Sequence, residues 1–266
     1  MSVQRRRALI EQRVLDKGEI DFTTLATELG VSEMTIRRDV EVLELKGVLR
    51  RVMGGAISVG AAAAEPSFDS RAALAATEKA HIASAVVDFL HEGETVIIDS
   101  GSSALAVARE IRARHLSVTV VTPSLLVATE LSSETDTEVF VTGGQLRPGE
   151  LSLIGPGAQE SLERFNASTF VMGVAGVESA AGVTDYHYSE AHVKRSAVRS
   201  AQRIIVVADS SKLGKVQLVK IAGLAELDTL VTDGDPDHPT LRSAHAAGVN
   251  VVCVQPPTAQ ETGRLT

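Results

Sequence analysis

A chain of 266 residues with 44% hydrophobic composition has material for one small domain and one of average size. Aromatics make up only 3% and tryptophan is absent, so the core must be built from Ala, Val, Leu and Ile. The net charge of −8 argues at first against nucleic acid, yet residues 1–58 hold ten Lys/Arg against nine Asp/Glu, so a basic face on one module stays open.

A single cysteine, Cys253, excludes an internal disulfide and a cysteine-rich zinc site, and its apolar surroundings (249–254) read as a buried small hydrophobe. No stretch of about 20 residues runs apolar without charge, so no membrane partner is expected. Three arginines open the chain, but Ala8–Ile10 gives way at once to Glu11, Gln12 and Arg13. That pattern is not a signal peptide, and the expected location is the cytoplasm.

The first segment reads as three helices and a hairpin. A helix over Gln4–Asp16 ends at Lys17-Gly18; Asp21 or Thr23 caps a second through Leu29; Ser32 caps a third that runs to Lys46 and stops at Gly47. Val48–Arg51 and Ala56–Val59 then flank Gly54-Gly55, which reads as the tight turn of a β-wing. On a wheel of about 100° per residue, Ile36, Val40 and Leu43 form one stripe, with Met34, Arg38 and Glu41 opposite and Thr35 and Arg37 on the flanks. A capped helix with arginines opposite its core stripe has the geometry of a DNA-reading helix; a three-helix bundle with a solvated charged face is the alternative. Residues 59–67 read as a linker, which gives three parts: a DNA-binding module over 1–58, the linker, and a domain over 68–266.

From Phe68 onward helices and apolar strands alternate, which predicts an α/β domain with a mainly parallel sheet covered on both faces. Helices are expected over Thr77–His91, Ala104–Arg114 and Leu125–Leu131. Strands are expected over Thr95–Asp99, Ser117–Val121, Glu138–Val141, Thr169–Gly173, Arg203–Val207, Thr229–Thr232 and Asn250–Val254. Three polar clusters stand out. Asp99-Ser100-Gly101-Ser102-Ser103 lies where a strand passes into a helix, a place that offers free N–H groups to an anion. Asp209-Ser210-Ser211-Lys212 follows another strand, where ligands bind in open α/β sheets. Asp185, Glu190 and Lys194 lead into a helix, with the last two spaced as an i,i+4 surface ion pair.

The run from Leu29 to Ala56 closely resembles the DeoR family of bacterial regulators: Val31, Ser32, Thr35, Ile36, Arg37, Arg38, Asp39, Leu43, Gly47, Leu49, Arg51, Gly54, Gly55 and Ala56 match its motif, whereas Met53 stands where histidine is usual. The likeness continues through Phe68, Arg71, Glu78-Lys79, Asp99–Ser102, Gly143-Gly144, Leu146-Arg147, Ser152–Pro156, Glu190-Ala191, Lys194-Arg195 and Asp209–Gly214. It departs at Ser103 (usually threonine), at Thr122-Pro123-Ser124 (usually Thr-Asn-Ser) and at Ala175 (often aspartate).

The resemblance implies a winged helix-turn-helix followed by a sensor similar in fold to ribose-phosphate isomerases and CoA transferases. It implies a repressor of a sugar-catabolism operon, relieved by a phosphorylated sugar, with no cofactor, metal or catalytic residue. Its partners would be double-stranded operator DNA, the sugar phosphate and further copies of itself as a dimer or tetramer. By the same resemblance Ser32, Thr35, Arg37, Arg38 and Arg51 would meet DNA, with Asp39 orienting a neighbouring arginine. Gly101, Ser102, Ser103 and Lys212 would hold the phosphate, while Asp99, Thr122, Asp185, Glu190, Lys194 and Asp209 would complete the effector site. The rival reading is an isomerase-like or CoA-transferase-like enzyme with a DNA-binding appendage, Asp99, Asp185, Glu190 and Lys194 serving as acid and base. No nucleophile–base spacing supports it.

Overall fold

The computed structural model describes residues 1–58 and 65–254. The chain forms two compact units, one ending at Ala76 and the other beginning at Thr77.

In the first unit, α1 (Val3–Lys17) is capped by Ser2, whose hydroxyl accepts the Arg5 N–H. It is followed by β1 (Glu19–Asp21), α2 (Phe22–Leu29) and α3 (Glu33–Leu45). Asp21 caps α2 and Ser32 caps α3. The wing is β2 (Leu49–Val52) and β3 (Gly55–Ser58), and the three strands pair antiparallel in the order β1-β3-β2. The wing turn is Met53-Gly54 rather than Gly54-Gly55. Gly55 belongs to β3 because β1 crosses there: a Cβ on it would lie 2.1 Å from the Ile20 carbonyl oxygen. Ile10, Val14, Phe22, Leu25, Ile36, Val40, Leu43 and Leu49 fill the core.

A further short helix, α4 (Phe68–Ala73), packs on α1 and belongs to this unit. The unit therefore ends later than the linker composition suggests. Residues 59–64 of the expected linker lie outside the described residues.

The second unit begins with α5 (Ala76–Val87), β4 (Thr95–Ile98), α6 (Ser102–Ala113), β5 (Thr119–Thr122), α7 (Leu125–Leu131) and β6 (Glu138–Val141). A hairpin of β7 (Gln145–Arg147) and β8 (Ser152–Ile154) precedes α8 (Pro156–Leu162). Then come β9 (Ala167–Gly173), β10 (Gly176–Glu178), β11 (Gly182–Asp185), α9 (Tyr188–Ser200) and β12 (Ala201–Val207). The described part closes with β13 (Val219–Ala222), β14 (Thr229–Thr232), α10 (Pro239–Ala246) and β15 (Asn250–Cys253).

Seven strands form one parallel sheet in the order β15-β14-β12-β9-β4-β5-β6. Every strand expected from an apolar run is in it. The β7–β8 hairpin and the antiparallel sheet β10-β11-β13 were not expected, because they are three or four residues long and lack a continuous apolar run. Cys253 lies on the edge strand β15 and is half-buried rather than buried.

From β4 the chain winds outward through β5 to β6, and from β9 it winds the other way through β12 and β14 to β15. The direction reverses between β4 and β9. At such a reversal the loops leave to opposite sides and open a crevice beyond the carboxyl ends of the strands.

Candidate functional site

Two surfaces carry the chemistry, one in each unit. In the first, α3 buries Ile36, Val40 and Leu43 and turns Met34, Arg37 and Arg38 outward. Ser32 and Thr35 are coupled: the Ser32 hydroxyl accepts the Thr35 N–H at 3.2 Å and the two hydroxyls lie 2.9 Å apart. Ser32 therefore acts as the helix cap. Arg37 lies 4.9 Å over the Phe22 ring and 3.4 Å from Glu33, whereas Arg38 is exposed with no partner among the described residues. Asp39 points inward and accepts from Arg6 Nε at 2.6 Å and Arg7 Nε at 2.7 Å. It orients arginines of α1, not those of α3.

Arg51 is neutralised in the unit itself. Glu44 accepts its N–H at 2.8 Å and pairs with its guanidinium, and the Arg51 N–H holds the Glu44 carboxyl below its ordinary range. Arg50 is exposed with no partner among the described residues, so the wing's free cation is one residue earlier than expected. Along β2 only Leu49 is buried, and of the two exposed arginines that follow it Arg51 is the one taken by Glu44.

In the second unit, the strand reversal brings together residues that are far apart in sequence. Asp99 follows β4 and its Oδ2 accepts the N–H of Gly173, the last residue of β9, at 3.0 Å. Lys194 Nζ, from α9, reaches Asp99 Oδ2 at 3.0 Å and Asp185 Oδ2 at 2.6 Å, and donates to the Gly173 carbonyl at 2.7 Å. All three ionisable groups are buried.

Burial pushes the Asp99 carboxyl up to about 6, against the opposing pull of the Lys194 ammonium. Asp185 is held below its ordinary value: burial opposes its charge, but the ammonium and the backbone N–H groups of His187 and Tyr186 outweigh it. Burial likewise opposes the charge on Lys194, yet the carboxylates of Asp185, Asp99 and Glu190 raise it above the usual lysine range. Two carboxyls on one ammonium leave an excess of acceptors, suited to hydroxyl groups.

Glu190 does not pair with Lys194 despite the i,i+4 spacing. It turns to the β7–β8 hairpin, where Arg147 Nη1 lies 2.8 Å away and the Ser152 hydroxyl donates at 2.5 Å. The family likeness marks Arg147 and Ser152 without giving them a role, and no local spacing ties the short strands that carry them to Glu190.

The remaining expected residues line the same carboxyl edge of the sheet. Gly101, at φ +102°, caps α6, where a residue with a Cβ would be strained, and Ser102 and Ser103 begin that helix with N–H groups that lack helical acceptors. Thr122, buried at the end of β5, accepts the Ser124 N–H at 3.1 Å. Asp209 is buried beyond β12 and turns back to Ser211, accepting its N–H at 3.1 Å; Lys212 ends the same 3-10 turn, half-buried. No group of three or more metal-ligating side chains occurs among the described residues, and no described helix is long and apolar enough to cross a membrane.

Comparison with known proteins gives a consistent result. The model of the DeoR-like helix-turn-helix domain matches residues 6–61, and that of the DeoR C terminal sensor domain matches residues 74–234. The chain is 34% identical to the HTH-type transcriptional regulator GlpR of Haloferax volcanii over 252 residues, 95% of this chain and 98% of that protein. It is 34% identical to a putative aga operon transcriptional repressor of Escherichia coli O157:H7 (94% and 93% covered) and 29% identical to the glycerol-3-phosphate regulon repressor of E. coli (88% and 91%). Among solved structures it is similar to ribose 5-phosphate isomerase A of Methanocaldococcus jannaschii, with 17% identity and a TM-score of 0.40 over 52% of this chain and 55% of that one.

Proposed function

Because this chain belongs to the DeoR family of transcriptional regulators, we propose that it represses a sugar-catabolism operon and is released by a phosphorylated sugar. Several relatives are named as repressors of such systems, the aga operon and the glycerol-3-phosphate regulon among them. The observation that carries the effector half is the buried Asp99–Lys194–Asp185 cluster at the strand reversal, beside the α6 N-terminus. Carboxylates at that point suit sugar hydroxyls, and Ser102, Ser103 and Lys212 along the same edge suit the phosphate.

On the DNA side, Arg38 reads a base edge, Thr35 and Arg37 flank it, and Arg50 in the wing serves the backbone, Arg51 being held by Glu44. One module with nearly balanced charge gives few phosphate contacts. Two modules at half-sites roughly 34 Å apart double them, so the working form is a dimer or a larger even assembly, acting in the cytoplasm.

The test is to select an operator from a random duplex pool, then titrate the complex with a panel of sugar phosphates. Release of about 5–150-fold by one member is expected, since an effector acts only through its differential affinity for the two states. Chemical turnover of that sugar phosphate without release would favour the enzyme reading instead.

A further inference from the structure

The segment whose composition reads as linker is tied into the first unit by a buried carboxylate. Glu11, in the middle of α1, is 2% exposed. It accepts the Ser67 N–H at 2.7 Å, the Ser67 hydroxyl at 3.1 Å and the Ser70 hydroxyl. These donors sit at the start of α4, where Ser67 is itself the N-cap. The carboxylate, brought from another helix, adds negative charge at the end where the α4 dipole favours it.

The same helix holds the DNA-reading helix. Arg7 lies one turn before Glu11 on the same flank of α1, and with Arg6 it grips the buried Asp39 of α3. Asp39 is the neighbour of Arg38. At the far end of α3 its C-cap residue Lys46 lies 3.4 Å from Asp69 of α4, an exposed pair of small energetic weight that nonetheless marks the two helices as adjacent. Thus α4 touches α1 through Glu11 and α3 through Lys46, and α1 in turn fixes α3 through Asp39.

A buried carboxylate is a costly way to dock two helices, and an apolar pair would do so at less expense. What it provides is a directional seat whose donors, two hydroxyls and one N–H, return readily to water.

We propose that α4 is a working part of the DNA-reading head and that Glu11 is a positioning residue, which seats α4 on α1 and, through Arg6, Arg7 and Asp39, sets the pitch at which α3 presents Arg38. The chain runs from α4 into α5 within Leu74 and Ala75. The inference rests on the assignment of α3 as the reading helix and needs no effector.

The experiment uses the full chain with Glu11→Ala and two readouts. The first is amide exchange without DNA, at Arg71 and Leu74, which bond to the Ser67 and Ser70 carbonyls, and along α3. The second is the ratio of operator to random-duplex affinity. Expected are faster exchange in α4 and α3 together and an operator preference reduced about tenfold, within the usual range of coupling between sites. The Ser67→Ala/Ser70→Ala variant keeps the Ser67 N–H contact and loses the α4 cap; its loss has the same direction, and adding Glu11→Ala to it gives less than the sum of the two, because the residues share one contact. Should Glu11→Ala fail to fold, Glu11→Gln keeps one acceptor oxygen and carries both readouts with a smaller expected fall. Wild-type exchange in α3 with an unchanged operator preference overturns the inference, and so does faster exchange in α4 alone, since Glu11 would then only hold α4. A wild-type protein that prefers no duplex defeats the reading-helix assignment instead, and the exchange readout still judges Glu11.

Discussion

The Asp99 carboxylate and the Gly173 backbone close the gap between the two halves of the parallel sheet: Asp99 Oδ2 accepts the Gly173 N–H at 3.0 Å, where the winding order reverses. Lys194 completes the arrangement by bonding to both residues. The contact that organises the candidate effector site thus also joins β4 to β9. Replacing Lys194 with Met leaves Asp99 and Asp185 buried without their cation. A loss of about 3–5 kcal/mol is expected for breaking a buried pair from one side, and Asp99→Asn in the same chain should restore part of it. Urea unfolding of the single and double variants checks this; equal stability of Lys194→Met and wild type would show that the cluster is solvated.

The raised Asp99 carboxyl gives a signed pH dependence. Its folded value is about 6, above an unfolded value of about 3.9. The folded state therefore holds the proton more tightly, and the stability this contributes is complete below about pH 4 and lost as pH rises through about 6. Asp185, held low by Lys194, acts in the opposite sense, and its contribution is lost as pH falls below the ordinary carboxylate range. Melting temperatures of wild type and Asp99→Asn between pH 4.5 and 7.5 isolate the first effect. Wild type should lose ground to the variant as pH rises, and parallel curves would refute the raised value.

The sequence made the seven-stranded sheet legible because each strand is a mainly apolar run; the inner strands are buried, while the outer strands β6 and β15 have no buried residue. It made α3 legible through a cap, a stripe and an opposite face. Partnerships were harder to read. The spacing of Glu190 and Lys194 suggests a pair, yet tertiary neighbours outcompete it: Arg147 takes the first, and Asp99 and Asp185 the second. A boundary at 59–67 puts Phe68 and Arg71 of α4 with the second domain, because the Ser67 donor that ties α4 to the first unit answers a carboxylate 56 residues earlier. Long-range polar contacts leave no periodic trace.

Arg37 and Arg38 are neighbours with different duties. Arg38→Ala should leave thermal stability unchanged and cost about 1–3 kcal/mol of operator binding, with relaxed preference at one base pair. Arg37→Ala removes the guanidinium from the Phe22 ring and should cost about 0.5–1 kcal/mol of folding stability as well. Melting and operator titration of both variants separate the roles. Identical profiles would mean that the Phe22 contact carries no weight.

The wing is built around Gly55, and Gly55→Ala tests it. The added methyl would overlap the Ile20 carbonyl, which belongs to backbone and has no rotamer to yield. A destabilisation of about 1–3 kcal/mol is expected, as for other overpacked sites. Amide exchange should place the damage in β1 and β3 and leave the parallel sheet as it was. An unaltered melting curve would mean that β1 moves away without cost.

Lys212 tests the switch. It ends the 3-10 turn that Asp209 caps beyond β12, on the same sheet edge as the α6 N-terminus. A phosphate there is drawn both by free N–H groups and by the ammonium charge. Lys212→Ala removes that charge without altering the first unit, so operator affinity in the absence of effector should match wild type. Linkage is reciprocal: an effector that binds the variant weakly shifts its operator equilibrium at correspondingly higher concentration, so the variant stays on DNA at concentrations that release wild type. Operator-bound wild type and variant are titrated side by side with the sugar phosphate that releases wild type. A release curve displaced about tenfold or more to higher concentration is expected, whereas coincident curves would remove Lys212 from the site and leave Ser102 and Ser103 as the phosphate contacts to test next.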